Sequence, residues 1–468
     1  MTLLAIKGLR VGDGLVDDVS LHLDRGQRLG LIGESGSGKS LTALSVMGLH
    51  DLPASGSIRF DGQELVGLAD KRHRRLRGER MAMVFQEPMS ALDPLMTVGR
   101  QLRLAGGSPE MLEKVLLPAS AARRYPFELS GGQRQRVLIA MAMARTPDLL
   151  ICDEPTTALD ATTQAEVLDL IDALAAEHGT AVLFITHDLR VAQRMCSQIA
   201  VLRDGAIVEA GEHVLDNPQH PYTQQLVGAS RLPAGDAAPT RQDPVIALES
   251  VTKSFGGAAA VEDVDLAVPR GGRVGVVGGS GSGKTTVLKL IAGLERPDSG
   301  SVRVDGRVQM VFQDPQGSLN PRLTVGRSIA EGGAGPEEVA RVLEQVGLKA
   351  SDASRYPHEF SGGQRQRISI ARAVVGRPDI VLADEAVSAL DVSVRRQVLD
   401  LFDSLIDAYD LTVVFISHDL SVIRYLCPTV VVMRDGRVVE AGPTAEVWEN
   451  PQHDYTRELL AAVEDSSM

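Results

Sequence analysis

The apolar positions of this 468-residue chain fall into strand-length runs that occur twice, in the same order. Leu3 to Ile6 and Val245 to Leu248 open the two halves. Leu29 to Ile32 and Val274 to Val277 come next, and each leads through a glycine-rich stretch into an apolar helical segment. A third pair, Leu149 to Cys152 and Ile380 to Ala383, ends in acidic residues, and a fourth, Val182 to Ile185 and Val413 to Ile416, ends at a histidine. Strands alternating with helices predict a layered α/β fold whose chemistry gathers at the carboxyl ends of the strands. Near each half's end, VLRDGAIVEAG and VMRDGRVVEAG set Asp204-Gly205 and Asp435-Gly436 between alternating apolar residues, which predicts a hairpin.

The repeat is strict in its second part: the same 231-residue step separates Ser130 from Ser361, Glu154 from Glu385, and His187 from His418. Such a duplication predicts two domains, 1–229 and 245–468. Between them Ser230 to Pro244, rich in Pro, Ala, Gly and Asp without periodicity, reads as a linker of at most ~50 Å at ~3.3 Å per residue.

Composition narrows the function. A net charge of −13 and a pI near 5.3 argue against nucleic acid or anionic lipid as the main partner, because such binding needs clustered Lys and Arg. The one basic run, KRHRRLRGER at Lys71 to Arg80, reads as a solvated helical face on an insertion. The longest apolar stretches fall far short of the ~20 residues of a membrane span. The opening MTLLAIKGLRVGDG lacks the charged start and long apolar block of a secretory signal, so a cytosolic compartment is expected. Cys152, Cys196 and Cys427 are scattered, without disulfide or metal-ligand spacing.

The glycine-rich stretches carry the chemistry. GESGSGKS comprises Gly33, Glu34, Ser35, Gly36, Ser37, Gly38, Lys39 and Ser40; GGSGSGKT comprises Gly278, Gly279, Ser280, Gly281, Ser282, Gly283, Lys284 and Thr285. Both match a phosphate-binding loop, in which backbone N–H groups and the following helix's positive end face phosphate oxygens. Lys39 and Lys284 would then reach the β and γ phosphates of a nucleotide, and Ser40 and Thr285 would offer a hydroxyl to Mg²⁺. Asp153 and Asp384 suit a carboxylate beside that metal. The next residues, Glu154 and Glu385, point elsewhere on leaving the strand and suit a general base that polarises the attacking water. His187 and His418 would contact the γ phosphate.

SGGQRQR recurs at Ser130, Gly131, Gly132, Gln133 and at Ser361, Gly362, Gly363, Gln364; alone it is a helix N-cap with an Arg-rich first turn. Beside the loops, acidic pairs and histidines it resembles the signature sequence of ABC ATPases, and the resemblance covers nearly the whole chain. It implies two tandem P-loop NTPase domains, each a layered α/β core with an antiparallel β region and a small helical subdomain. It also implies head-to-tail pairing within one chain, so that the Ser130 signature completes the Lys284 site and the Ser361 signature completes the Lys39 site. ATP and Mg²⁺ are the implied cofactors, with Gln86 and Gln313 contacting both.

QEPMSALDPLMTVG from Gln86 and QDPQGSLNPRLTVG from Gln313 resemble the glutamine loop of oligopeptide, dipeptide and nickel importers. NPQHPYT at Asn217 to Thr223 and NPQHDYT at Asn450 to Thr456 resemble that subfamily's tail motif. The implied protein is an ATPase subunit on the cytoplasmic face of the membrane. It would touch the membrane only through two permease subunits, fed by an extracytoplasmic solute-binding protein. A soluble tandem ABC ATPase acting on the ribosome or nucleic acid is the alternative; an exporter motor lacks the support of the doubled tail motif.

The halves also differ. Phe255 stands where the family stacks an aromatic on adenine, while Gly8 to Gly12 has none, which predicts weaker binding in the first site. Ala386 replaces the counterpart of Pro155, and Lys284 to Gln313 spans 29 residues against 47 from Lys39 to Gln86, which predicts a trimmed β region in the second half. The cysteine group that binds an iron–sulfur cluster in some relatives is missing from this sequence.

Overall fold

The computed structural model describes the chain apart from Ala158, residues 236–242, Ala389 and residues 465–468, and apart from the side chains of Gln316 and residues 462–464. The middle of the expected linker and the end of the second expected domain therefore lie outside the described residues. Two compact units emerge, one formed chiefly by the chain up to Ser230 and the other by the chain from Arg231 onward.

In the first unit a six-stranded sheet runs in the order Ala206–Gly211, Gln198–Arg203, Arg28–Ile32, Ala181–Thr186, Leu149–Asp153, Met81–Val84. All neighbours are parallel except the first pair, which is antiparallel. Period-2 alternation divides each strand between two cores. Leu150, Cys152, Val182 and Phe184 face the helices Gly131–Met143, Ala161–His178 and Leu189–Met195. Leu149, Ile151, Leu183 and Ile185 face the helix Lys39–Met47 and a second, antiparallel sheet containing Thr2–Val11 and Val16–Asp24. Burial on both faces is why these strands read as unbroken apolar runs.

The second unit repeats the plan with Val308–Val311, Ile380–Asp384, Thr412–Ile416, Arg273–Val277, Thr429–Arg434 and Arg437–Pro443. Both expected hairpins form: Asp204 and Asp435 have φ of 48° and 50°, and Gly205 and Gly436 have φ of 81° and 80°, the doubly left-handed turn that matches strand twist. The antiparallel sheet has four strands in the first unit and three in the second. The shorter lysine-to-glutamine span removes one short strand, the counterpart of Gln63–Glu64, and the helix Asp70–Glu79.

That helix corrects the reading of the basic run. Lys71, Arg72, Arg74 and Arg75 are exposed, as a solvated face requires, but His73 is buried beneath Gly48. Arg77 donates to the carbonyls of Met47 and Gly48 at 2.6 and 2.9 Å, capping the helix that follows the phosphate loop. Arg80 pairs with Asp61 and Asp148 at 2.8 and 2.5 Å. Part of the run is structural, because Arg77 and Arg80 are long enough to satisfy carbonyls and carboxylates left at element ends. Among the described residues, no helix is long and apolar enough to cross a membrane.

Candidate active sites

Each phosphate loop leaves an interior parallel strand of its sheet and enters a helix, Lys39–Met47 or Lys284–Ile291. The lysines are buried. Lys39 Nζ donates to the carbonyls of Gly33 and Glu34, both at 2.7 Å, and Lys284 Nζ to those of Gly278 and Gly279, both at 2.8 Å. Burial lowers the Lys284 pKa from its ordinary value, opposed by nearby carboxylates that include Glu385.

The strand two places along the sheet supplies the aspartates, with the histidine-bearing strand between. Ser40 Oγ donates to Asp153 Oδ1 at 3.0 Å, and Thr285 Oγ1 to Asp384 Oδ1 at 3.5 Å. Hard oxygen donors in this pairing fit Mg²⁺, which is held by one or two protein oxygens together with nucleotide phosphates. Burial raises the pKa of both aspartates, reinforced by the neighbouring glutamate's charge.

The glutamates diverge from the aspartates for a backbone reason. Glu154 and Glu385 have φ of 48° and 46°, left-handed values costing a non-glycine residue of order 1–3 kcal/mol. Their N–H groups are caught by the carbonyls of Ile185 and Ile416 at 2.9 and 3.0 Å. Each carboxylate then meets its histidine: His187 Nδ1 is 3.2 Å from Glu154 Oε1, and His418 Nδ1 is 3.3 Å from Glu385 Oε2. The glutamine loops close the ring, with Gln86 Nε2 donating to Glu154 Oε2 at 2.9 Å and Gln313 Nε2 to Glu385 Oε2 at 2.8 Å. Burial pushes both glutamate pKa values up, but the hydrogen bond and charge of the histidine, together with the charge of the loop lysine and, at Glu154, the Thr157 hydroxyl, outweigh it, so both lie below the ordinary value.

Loop, aspartate, glutamate, glutamine and histidine thus converge in each half. The signature residues belong to another element. Ser130 and Ser361 cap the helices Gly131–Met143 and Gly362–Val374, accepting from the N–H of Gln133 and Gln364, whose side chains accept from the serine N–H. A β-carbon on Gly132 or Gly363 would collide with Thr163 or Val394 of the next helix, so glycine is required there for close packing. Phe255 is 46% exposed at the end of the strand Pro244–Phe255, with Lys253 Nζ 5.4 Å from its ring centre. The exposed apolar residue of the equivalent first-half turn is Leu15.

Four residues escaped the sequence reading. Thr157 Oγ1 donates to Glu154 Oε2 at 3.0 Å, whereas Ser388 Oγ turns to the Glu385 backbone carbonyl at 3.0 Å. Tyr222 and Tyr455, inside the doubled tail motif, accept through their hydroxyls from the N–H of Glu34 and Gly279 at 3.2 and 2.7 Å. The motif's recurrence was the available signal; nothing local indicated that it returns to the loop.

The family described as "ABC transporter" matches residues 16–157 and 261–388. "Oligopeptide/dipeptide transporter, C-terminal region" matches residues 439–467, the second tail motif with its flanks. The chain is 43% identical to the peptidoglycan transport ATP-binding protein YejF of Agrobacterium fabrum, across 96% of this chain and 92% of that protein. It is 41% identical to the glutathione import ATP-binding protein GsiA of Salmonella typhimurium, across 96% of this chain and 86% of that one. A solved complex of an archaeal ribosome recycling factor, aABCE1, with a ribosomal stalk protein shares the fold at a TM-score of 0.68 and 23% identity, covering 92% of this chain and 88% of that one. The family match in both halves, with relatives of 41–43% identity over nearly the whole chain, makes this chain a member of the ABC transporter family carrying two ATP-binding domains in tandem.

Proposed function

We propose that the chain is the ATP-hydrolysing subunit of a membrane importer for peptides or a related small solute, with both ATP sites formed within one polypeptide. The observation that carries the reading is the coexistence of two phosphate-loop, aspartate and glutamate sets with the oligopeptide/dipeptide C-terminal region at 439–467. The names of the relatives, peptidoglycan transport and glutathione import, point to small peptide-containing cargo.

In this reading the loop N–H groups and Lys39 or Lys284 hold the phosphates, and Ser40 with Asp153, or Thr285 with Asp384, holds Mg²⁺, which neutralises phosphate charge when bound. Glu154 and Glu385 take a proton from the attacking water, and their lowered pKa keeps them ionised and able to accept it. His187 and His418 orient those carboxylates. The Ser130 signature closes on the Lys284 loop and the Ser361 signature on the Lys39 loop, following the family's head-to-tail pairing.

Permease docking is supported by a cleft in each unit beside the end of the helix that follows the phosphate loop. The first, about 510 Å³, is lined by Leu49, Phe85, Leu104 and, from the helix Asp70–Glu79, by Arg74, Arg75 and Arg77. The second, about 380 Å³, is lined by Leu294, Phe312 and Arg372. Leu104 and Leu294 are 70% and 63% exposed, apolar surface suited to a partner helix. A position beneath permeases on the cytoplasmic face follows from this docking.

The likeness to the ribosome recycling factor concerns fold, and the acidic balance of this chain disfavours an RNA surface. The deciding experiment is reconstitution of the chain with its permeases and solute-binding protein, followed by identification of the solute that stimulates ATP turnover. Stimulation by a small peptide supports import; ribosome co-sedimentation without any stimulation by solute overturns it.

A further inference from the structure

One peptide plane in each phosphate loop is gripped at both ends. The carbonyl of Gly33 accepts from Lys39 Nζ at 2.7 Å, and the N–H of Glu34, on the same peptide, donates to the Tyr222 hydroxyl at 3.2 Å. In the second half the Gly278 carbonyl accepts from Lys284 Nζ at 2.8 Å, and the Gly279 N–H donates to the Tyr455 hydroxyl at 2.7 Å.

This plane needs holding. Gly33 and Gly278 have φ of 152° and 153°, and a β-carbon on either would strike the carbonyl of Leu202 or Met433, so glycine is obligatory and the peptide after it is free to rotate. Reversal would set an N–H against the lysine ammonium and a carbonyl where the N–H now lies, in a loop that binds phosphate through converging N–H dipoles. When the lysine turns to a phosphate it releases the glycine carbonyl, and the tyrosine hydroxyl keeps its grip.

The tyrosines are themselves firmly set. Tyr222 and Tyr455 are buried, and the guanidinium carbons of Arg203 and Arg434 each lie 4.8 Å from the ring centres. Their N–H groups donate to His220 Nδ1 and His453 Nδ1 at 3.2 and 3.1 Å. Glu209 accepts from the N–H of Gln219 and His220 at 2.8 and 3.1 Å, and Glu440 accepts from those of Gln452 and His453 at 2.8 and 3.0 Å. Both glutamates lie on hairpins whose turns also bind the loop, Gly205 N–H to the Ser37 carbonyl at 3.1 Å and Gly436 N–H to the Ser282 carbonyl at 3.2 Å. The tail motif is therefore a brace from the hairpin to the phosphate loop.

We propose that Tyr222 and Tyr455 are positioning residues for nucleotide: each hydroxyl fixes the first peptide of its own phosphate loop and thereby sets the ATP affinity of that half. The proposal rests on the reading of these loops as ATP sites.

The test uses the full chain with Tyr222→Phe and Tyr455→Phe, which delete the hydroxyl and keep the ring under its arginine. Photolabelling with an ATP analogue, mapped to each loop, should show a roughly five-fold rise in half-saturating concentration at the Lys39 loop for Tyr222→Phe, the scale of one hydrogen bond. The Lys284 loop should stay within about twofold, and Tyr455→Phe should do the converse. Because the loop is held alike in ground and transition states, KM for ATP should rise while kcat stays within about twofold. Hydrogen exchange over residues 33–40 and 278–285 should quicken only in the half carrying the variant, a readout independent of activity. Unchanged affinity and exchange in both variants overturn the proposal, as does an equal loss at both loops. Lys39→Ala must abolish labelling of its own loop; if it does not, the ATP-site reading falls, a result distinct from failure of the tyrosine role.

Discussion

Gln86 holds Glu154: its side-chain amide donates to Oε2 of the proposed base at 2.9 Å, and Gln313 repeats the contact with Glu385 at 2.8 Å. The glutamine loop begins at these residues and runs into the short helices Pro88–Ala91 and Pro315–Ser318. A movement of that loop is therefore mechanically tied to the proposed base.

Glu154→Gln and Glu385→Gln together keep the shape of this network and remove its bases. ATP turnover should fall by ~10²–10⁴, the usual loss for a general base, with nucleotide still bound. Steady-state phosphate release and retained radiolabelled ATP check this; turnover near wild type sinks the assignment of both glutamates.

Asp153→Asn and Asp384→Asn should act in opposite directions on stability and activity. Burial raises both carboxyl pKa values above the unfolded-state value, so the fold favours the neutral form. Their contribution to stability is present below the unfolded pKa and is lost as pH rises through the folded pKa. At neutral pH the amide relieves that cost, and the melting temperature without nucleotide should rise while Mg²⁺-dependent hydrolysis collapses. Calorimetry at pH 7 that shows a lowered melting temperature for both variants would contradict this.

The two sites should differ in affinity. Phe255 presents a half-exposed ring at the end of the strand Pro244–Phe255, and the equivalent first-half turn offers Leu15. Stacking on an aromatic is worth ~1–3 kcal/mol per base, so the Lys284 loop should bind ATP more tightly than the Lys39 loop. Phe255→Ala should erase the difference, as read by loop-resolved photolabelling; equal affinities in the unsubstituted chain reject it.

Ser130→Arg should disable hydrolysis at the Lys284 loop and spare the Lys39 loop, and Ser361→Arg should do the reverse. Each places a bulky cation at the capped N-terminus of a signature helix. Vanadate trapping with peptide mapping identifies the loop affected. Loss confined to the loop of the same half means that each half closes on its own nucleotide.

Motifs whose chemistry demands fixed spacing were plain in the sequence: phosphate loops, acidic pairs, signatures, and the apolar runs buried on both faces. The antiparallel strands around Val16–Asp24 were harder to see, because one polar face breaks their apolar run. Glu154 gave no sign that its divergence from Asp153 depends on a left-handed backbone, since any residue could stand there at a cost. Tyr222 lay in a motif that had been noticed, yet its target is 188 residues away and is a backbone N–H, which leaves no mark on the residue it binds. His73 and Arg77 were hidden by their neighbours: a run of charge looks uniform until the fold turns one side of it inward.

The helix Asp70–Glu79 has a further consequence if permeases dock in the two clefts as proposed. Its Arg74, Arg75 and Arg77 border the first cleft, and the second unit lacks its counterpart. The tandem chain thus presents a keyed socket pair rather than two interchangeable ones. Two unlike permeases could mate with it in one order and be refused in the other, so gene fusion would have replaced a choice among assembly isomers with a single handed complex.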